Sequence, residues 1–565
     1  KWQKPREFPA GYEIHLDKPS LQKTLYTNYQ IALGGTAVQW TPAISYWALA
    51  HPVGGGGCTY SIPRGIDVNL TNWSKREWQH PEGAIFHAFQ GGYWGFWMFE
   101  VDGYERREDS VSLNWTKGGF QECRGNARGG AFFVENVLEE LDAPGEYFYD
   151  KANKRLYLYP NGTIEDMTTV LLSQQENLIE IRGTSDHPVM NITLNGMTFA
   201  YTRNTYMEPF EVPSGGDWAL HRGGVVFVDG AENIHVQYNV FEQNGNNNVF
   251  FTNHVTHSVI EYNEMKYGSD SGILFIGSSD LMDGTREEHP HDNLIQHNLL
   301  HELGLYNKQS SPFMQSKTAH TTWTHNIFFN VPRAGININD AFGGGNLVDH
   351  SLMFNTVRET ADHGPLNTWD RMPFITTYDS GEPSTKPQES KITQNFVIAN
   401  YHAVWPLDHD DGSCYYYDFD NVLVYGGFKT YLGHSKISEN NLYIYPDTKY
   451  ADETNEFFTE PYCCITSGQK DVYGWGEVWH NNTCIIKSEA IYWFNGVSPE
   501  TLKELTPVLD HNTIYTPHGK EGTKVNMSYG TKLHSEFVKE AEKDGDAVFY
   551  PLPTGKRIEE MIHEK

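Results

Sequence analysis

The segment from Arg333 to Arg371 concentrates ionisable side chains between short apolar runs. Its guanidinium groups can hold carboxylates in bidentate pairs, and its carboxylates suit acid and base chemistry. Cleavage of a glycosidic bond uses two carboxylates, about 5 Å apart for retention or about 6.5–9.5 Å apart for inversion. The candidate catalytic residues are therefore Asp340, Asp362 and Asp370, with His363 as an auxiliary proton carrier.

The basic side chains of this region suit a second chemistry. A β-eliminating lyase needs a basic proton acceptor and positive charge that neutralises a uronate. Lys317, His320, Arg333 and Arg358 have these properties. Asp and His are also ordinary turn residues, so an ion-pair ladder that only ties the chain together is an equally strong interpretation.

A short recurring phrase predicts the elements that hold these side chains. From about residue 170 the chain repeats segments such as "SVIEYNEM" and "TTWTHNIF", which are typical of a strand, a bend at a polar residue and a second strand. A unit near 24 residues with insertions predicts a parallel β-solenoid of about ten coils. We expect the bend residues to take the left-handed turn conformation and to bond one another between coils: Asn239, Asn263, Asn298, Asn326, Ser351, Asn395, Asn421 and Asn441.

Stacked coils would align residues at equal distance from the bend. Seven residues past each bend, the sequence gives a polar column of Asn246, Asp270, Leu305, Arg333, Arg358 and His402. Two arginines one strand spacing apart repel each other, so this column predicts nearby anions.

Two long insertions predict walls beside this column. They follow Asn263 and Ser351, and the glycines of "AFGGGN" between them would let the backbone approach a ligand closely. The resulting groove fits a polymer. The candidate substrate-binding residues are Asp270, Lys317, Arg333, Arg358, Trp369, Arg371 and His402.

An acidic stretch, "PLDHDDGSCYYYDFDN", is a candidate metal site. Ca²⁺ prefers several oxygen ligands, which Asp408, Asp410 and Asp411 would supply. The spacing is not that of a defined calcium loop, and a solvated acidic turn is the stronger interpretation. No cofactor is required by the chemistry considered above.

The charge balance narrows the choice of partners. The 565 residues carry a net charge of -30, which argues against nucleic acid or an anionic membrane as a partner. The chain has 14% aromatic residues, which suit either stacking against sugars or filling a β core. No apolar run reaches membrane-spanning length.

Several features predict export from the cell. The chain begins at Lys1, which we interpret as a mature form without its signal peptide. The six cysteines form an even set without a CxxC pair, and one bridge is expected between Cys463 or Cys464 and Cys484. Seven glycosylation acceptors occur: Asn69, Asn72, Asn114, Asn161, Asn191, Asn481 and Asn526.

The two ends of the chain differ from the repeats. Residues 1–165 predict an N-terminal cap with an inserted β module, including a short helix or turn at "ENVLEEL" and two strands joined at Asn153-Lys154. Residues 166–530 form the predicted β-helix, and residues 531–565 have helical runs that predict a C-terminal cap.

The repeat pattern resembles the right-handed parallel β-helix superfold of pectate lyases and of many polysaccharide hydrolases, lyases and epimerases. The blocks "PRAGIN…FGGGN" and "DHGPLNTWDR" are similar to those of secreted β-helix repeat proteins. The resemblance implies an all-β, right-handed parallel β-helix but no residue roles, because these blocks bring no known catalytic set. The pectate-lyase calcium and arginine motifs are absent, which argues against pectin cleavage.

Two functions follow as expectations. The first is a secreted protein that binds a polysaccharide or glycan in the groove and cleaves or modifies it, with a hydrolase ahead of a lyase or epimerase. The second is a non-catalytic extracellular matrix or biomineral-associated scaffold, whose acidic β-helix would serve self-assembly.

Export carries a direct test. We expect mass spectrometry of the protein from its native source to show glycans on several of the seven acceptors, because exported chains pass the glycosylation machinery. Six free thiols together with no glycan mass would contradict export.

Overall fold

The computed structural model describes most of the chain. The described residues are 6–8, 12–19, 58–69, 77–90, 93–108, 110–118, 123–125, 129–160, 162–163, 170–211, 220–277, 288–339, 344–369, 388–410, 413–431, 434–448, 463–468, 477–505 and 508–565. They fall into two compact units. Those of the first lie within 1–28, 52–176 and 201–222, and those of the second lie within 177–200 and 223–565.

The first unit contains an antiparallel sheet. Its eight strands are Arg6–Phe8, Tyr12–Pro19, Cys58–Asn69, Ile85–Gln90, Phe96–Arg106, Ser110–Gly118, Cys123–Gly125 and Gly129–Glu135. Its core includes Phe86, Trp97, Phe99 and Phe132. A 3-10 helix at Leu138–Glu140 and a hairpin of Tyr147–Asp150 with Arg155–Leu158 confirm the short helix and the two strands that the sequence predicts.

The second unit is a parallel β-helix, as predicted, built from three sheets that we call I, II and III. Each coil contributes one strand to each sheet in turn, so the neighbours within a sheet are one coil apart in the chain. Sheet II, with eleven described strands, gives a coil count close to the expected ten.

The strand bounds are as follows. Sheet I holds Ile179–Arg182, Val189–Met190, Val226–Glu232, Val249–Thr256, Ile273–Ile276, Phe313–Ser316, Ile336–Asn339, Leu366–Trp369, Leu407–Asp410, Phe428–Tyr431, Ile465–Gly468, Ala490–Asn495, Lys524–Met527 and Gly530–Leu533. Sheet II holds Thr193–Asn195, His235–Gln237, Val259–Glu261, Leu294–Gln296, Thr322–Thr324, Leu347–Asp349, Ser390–Thr393, Cys414–Phe419, His434–Glu439, Val478–His480 and Val508–Asp510. Sheet III holds Thr198–Ala200, Val240–Glu242, Glu264–Lys266, Leu299–His301, Ile327–Phe329, Leu352–Met353, Phe396–Ile398, Val422–Val424, Leu442–Ile444, Thr483–Ile485, Thr513–Tyr515 and Val548–Tyr550.

Side chains alternate between the inside and the outside along each strand, and the inward ones fill the interior. In sheet II the middle residue of each three-residue strand points inward, as with Val236, Ile260 and Ile295, which are all fully buried. Burying one such side chain contributes about 1.5–3 kcal/mol. A coil buries this inner face only against its neighbours, and stability therefore depends on stacking.

An asparagine ladder links sheets II and III. The Oδ1 atom of Asn298 accepts from the backbone N and Nδ2 of Asn263, both at 3.0 Å, while Asn298 donates in the same way to Asn326 at 2.9 and 3.0 Å. Ser351 replaces Asn in one coil, where its Oγ accepts from the backbone N of Asn326 at 3.2 Å. The predicted vertical alignment of the bend residues is confirmed.

One detail of the expected bend is wrong. The left-handed residue precedes each bend residue, as at Tyr262 (φ 53°), His297 (φ 54°) and His325 (φ 55°). The chain turns at that residue, so the asparagine itself keeps a geometry in which its amide bonds both neighbouring coils. The side chains at the left-handed positions stack along the outside, with 4.9 Å between the rings of Tyr238 and Tyr262.

Four helices occur in the described part of the second unit: α1 (Pro499–Leu505), α2 (Gly519–Gly522), α3 (His534–Ala541) and α4 (Gly555–His563). Phe537 of α3 is fully buried and joins the interior cluster, which agrees with the helical runs expected after residue 530. No helix of the described residues is long and apolar enough to cross a membrane.

A disulfide joins Cys464 to Cys484, as the sequence predicts. Cys463 is a buried free thiol, so the even set of cysteines is not fully paired, and Cys414 is also buried. The side chains of Cys58 and Cys123 lie outside the described ones.

The described glycosylation acceptors differ in exposure. Asn114, Asn191 and Asn481 are exposed, and Asn526 is half-buried. The side chains of Asn69, Asn72 and Asn161 lie outside the described ones.

The ladder predicts a position-specific stability effect. Replacing Asn298 by Ala removes bonds to both neighbouring coils and leaves buried groups unsatisfied, so we expect a loss of about 2–4 kcal/mol and a clear drop in Tm. The control His297→Asn changes the exposed neighbour to a residue that tolerates the left-handed conformation, and its Tm should stay close to that of the parent. Equal melting of the two variants would contradict a stabilising ladder.

Candidate functional site

The register of sheet I corrects the predicted polar column. Ile336 pairs with Leu366, and Leu366 pairs with Leu407. The residues three positions earlier, Arg333, His363 and Val404, are therefore neighbours. Towards the N-terminus the column continues through residues that the prediction partly contained: Ser310, Asp270 and Asn246.

Three members of the predicted column, Leu305, Arg358 and His402, do not belong to it. The chain takes ten residues from Asn326 to the next strand of sheet I at Ile336, but fifteen from Ser351 to Leu366. Counting seven residues past every bend therefore does not pick out residues that are neighbours in sheet I.

Arg333 is buried and contacts two neutral side chains, Gln309 and His363. Its side chain is 1% exposed, and its Nη2 lies 2.7 Å from Nε2 of His363 while Nη1 donates to Gln309. A guanidinium only donates, so His363 accepts through Nε2. Burial, followed by the charge of Arg333, holds the pKa of His363 well below its usual value, which removes His363 as a proton carrier at neutral pH.

Arg358 lies elsewhere on the surface. It is exposed, and its guanidinium lies 5.3 Å from the centre of the Tyr401 ring. The adjacent Glu359 pairs with Lys308 at 2.8 Å. Arg333 and Arg358 are therefore not stacked on adjacent coils, and the expected repulsion between them is wrong.

The acidic stretch contributes a cluster around a lysine. Nζ of Lys429 lies 2.8 Å from Oδ1 of Asp408, 2.9 Å from Oδ1 of Asp410 and 4.1 Å from the centre of the Trp405 ring. Burial opposes the charge of Lys429, but Asp408, Asp410 and Asp362 outweigh it and raise the lysine pKa well above its usual value. The observed counterion of the two carboxylates assigned to Ca²⁺ is thus a lysine.

Members of this cluster differ in access to solvent. Asp408 is fully buried, whereas the side chain of Asp410 keeps 23% of its exposure and Asp362 is half-buried. Trp369 pairs with Asp410 in the register and is buried. Asp362 has φ 65°, so it occupies a left-handed position four residues before the strand that begins at Leu366.

Two further predicted residues, Asp270 and Lys317, lie in the interior. Asp270 is buried and accepts from Ser310 Oγ at 2.9 Å and Asn307 Nδ2 at 3.0 Å. Lys317 is buried at a left-handed position. Asp340, Asp370, Arg371 and Asp411 lie outside the described residues.

A hydroxyl, an imidazole and a carboxylate line up inside the β-helix, which the sequence analysis missed. Thr368 Oγ1 lies 2.9 Å from Nδ1 of His409, whose Nε2 lies 2.7 Å from Oδ2 of Asp418. All three are fully buried, so no substrate reaches them and the set bonds one sheet to another. The signal in the sequence was polar residues at inward positions of otherwise apolar columns.

The first unit holds a second polar group that sequence reasoning missed. Glu135, 6% exposed, lies 3.2 Å from Nε2 of the buried His87 and accepts from the hydroxyl of Tyr206. A cavity of about 170 Å³ is lined by Glu135, Tyr206, Tyr147 and Tyr149 among others.

The sheet topology defines the second unit as a parallel β-helix, the class that the sequence resemblance implies. No family model and no curated protein matches the chain.

Solved structures match at low similarity. One titled "Glycoside hydrolase" has 15% identity and a TM-score of 0.47, covering 87% of this chain and 75% of that one. The complex of XylC with xylose has 9% identity and a TM-score of 0.34, covering 88% and 73%. An alginate lyase from Paenibacillus sp. str. FPU-7 has 11% identity and a TM-score of 0.27, covering 66% and 86%. No residue role is taken from them.

The Arg333–His363 contact predicts a pH effect on stability. The unfolded chain protonates His363 below pH about 6.5, whereas the folded chain keeps this histidine neutral. The unfolded state therefore binds the extra proton, and the free energy of unfolding decreases as the pH falls below about 6.5. His363→Gln retains an acceptor for Arg333 without a titrating group. Between pH 7 and 5 its free energy of unfolding should fall less than that of the parent, by up to about 1.4 kcal/mol per pH unit below pH about 6.5, and its Tm should fall less in consequence.

The exposed His325 supplies the matched control for this measurement. His325→Gln should follow the parent profile. Identical profiles for the parent and His363→Gln would show that His363 takes up a proton in the folded state.

Proposed function

We propose that the chain is a secreted glycoprotein that binds a polysaccharide on the outer face of sheet I and hydrolyses it. Asp362 and Asp410 are the acting carboxylates. One observation carries the proposal: three carboxylates gather around the single ammonium of Lys429, and two of the three keep contact with solvent.

The charge balance of the cluster supports paired acid and base chemistry. Three ionised carboxylates and one ammonium leave an excess of negative charge, which favours proton retention by one carboxylate. Lys429 bonds both Asp408 and Asp410, and it favours their ionised forms. We therefore assign the proton to Asp362, as general acid, and assign Asp410 as the ionised partner.

The positions of the bases favour hydrolysis over elimination. Arg333 and His363 bond each other in a buried contact, so neither is offered to a uronate as base or as neutralising charge. The net charge of -30 also disfavours a polyanionic substrate. A neutral polysaccharide fits this site best.

Secretion is part of the proposal. It is supported by the disulfide between Cys464 and Cys484 and by the exposure of the acceptors Asn114, Asn191 and Asn481.

Mutation of the exposed carboxylates tests the activity. Asp362→Asn and Asp410→Asn should each lower turnover by about 10²–10⁴-fold on a neutral polysaccharide, measured as reducing ends, because each loses a proton-transfer or nucleophilic group. Unsaturated-product absorbance on uronic polysaccharides should stay at background. The Tm of both variants should remain close to that of the parent.

Asp229 offers a matched control. It occupies the same column of sheet I as Asp410, near the other end of the sheet, and its side chain is similarly exposed at 26%. Asp229→Asn should leave turnover unchanged. Full turnover in Asp410→Asn would exclude the assigned pair.

A non-catalytic scaffold remains the second candidate, because a specific observation favours it. Arg333, His363, Asp408 and Lys429 are each no more than 5% exposed and are bonded to one another or to neighbouring side chains. A parent protein without activity on any polysaccharide, together with a large fall in Tm on Asp410→Asn, would favour the scaffold.

A further inference from the structure

Two imidazoles and a carboxylate meet on the outside of sheet II near the C-terminal end. Nδ1 of His480 lies 2.5 Å from Oδ1 of Asp510, and Nδ1 of His511 lies 3.3 Å from the same oxygen. Asp546 adds a second carboxylate, with its Oδ2 3.0 Å from Nδ1 of His511. Three potential metal ligands therefore lie together, and a second carboxylate lies beside one of them.

The fold fixes these positions. His480 and Asp510 are paired residues on adjacent strands of sheet II, so stacking of the coils sets their separation. His511 follows at the left-handed position (φ 55°), which turns its ring beside them, and the two imidazole rings lie 5.2 Å apart. The backbone N of His511 donates to Oδ1 of Asp546 at 3.1 Å, which holds the fourth group in place.

The distances suit a tetrahedral ion. Ligand atoms about 2.0–2.1 Å from Zn²⁺ lie about 3.3 Å from one another in a tetrahedron. The ligand atoms of His480, Asp510 and His511 all lie within 4.8 Å of one another. Small side-chain rotations bring them to the ion, because all three side chains are at least one-third exposed.

The donor types select the ion. Imidazole nitrogens suit Zn²⁺ and its neighbours among the transition metals, whereas Ca²⁺ and Mg²⁺ prefer sets of oxygen ligands.

We propose that His480, Asp510 and His511, with Asp546 as the fourth ligand, bind one transition-metal ion of the Zn²⁺ type. The site is independent of the carboxylates proposed for hydrolysis. Asp546 lies between α3 and the strand Val548–Tyr550, so the ion would tie two coils to the C-terminal segment and add stability there.

Metal titration of the full chain tests the site. After treatment with a chelator, ZnCl₂ followed by calorimetry should show a site that the double variant His480→Ala/His511→Ala loses or binds at least about tenfold more weakly. Zn²⁺ should raise the Tm of the parent but not of the double variant. CaCl₂ should neither bind there nor compete. CoCl₂ should give the visible absorption of a tetrahedral site.

His325→Ala is the matched control, since His325 is an exposed histidine at the same left-handed turn position several coils away. It should keep the Zn²⁺ affinity of the parent. If the double variant fails to fold, the single variant His511→Gln decides in its place. The proposal is overturned if the parent does not bind Zn²⁺, or if the histidine variants bind it as the parent does.

Discussion

Registered stacking of coils is the constraint on which the rest of the structure depends. The asparagine ladder enforces it, since each amide bonds the coil on either side, as Asn298 does with Asn263 and Asn326. These bonds are buried, where an unmade hydrogen bond costs more than a made one contributes. A coil displaced by one residue would leave the amides unsatisfied and turn the apolar inner face outward, so the register is held by two penalties at once.

Stacking also explains why ionisable groups of distant sequence segments meet. Asp408 and Lys429 are register partners on adjacent strands of sheet I, and His480 and Asp510 are register partners on sheet II. A spacing of one strand, about 4.8 Å, suits a side-chain ion pair or a shared metal ion. The β-helix therefore builds charged clusters from columns of register partners.

These clusters differ in how much of each is exposed to solvent. The Thr368–His409–Asp418 set has the donor order of a catalytic triad, yet its full burial makes it part of the core. The Lys429 cluster is graded instead, from the buried Asp408 to the partly exposed Asp410. Both carboxylates bond the lysine, and only Asp410 also has contact with solvent.

The sequence by itself determined the fold class and the bend positions, and it narrowed one bridge to Cys463 or Cys464 with Cys484, because these rest on local patterns: alternation of period two, a recurring asparagine and nearness along the chain. It also found Asp270 and Arg333 in one column. It could not determine that His363 rather than Arg358 follows Arg333, or that Lys429 bonds Asp408 and Asp410. Those contacts depend on how many residues each coil inserts between its bend and the next strand, and only the hydrogen-bonded register of the folded sheets fixes that count.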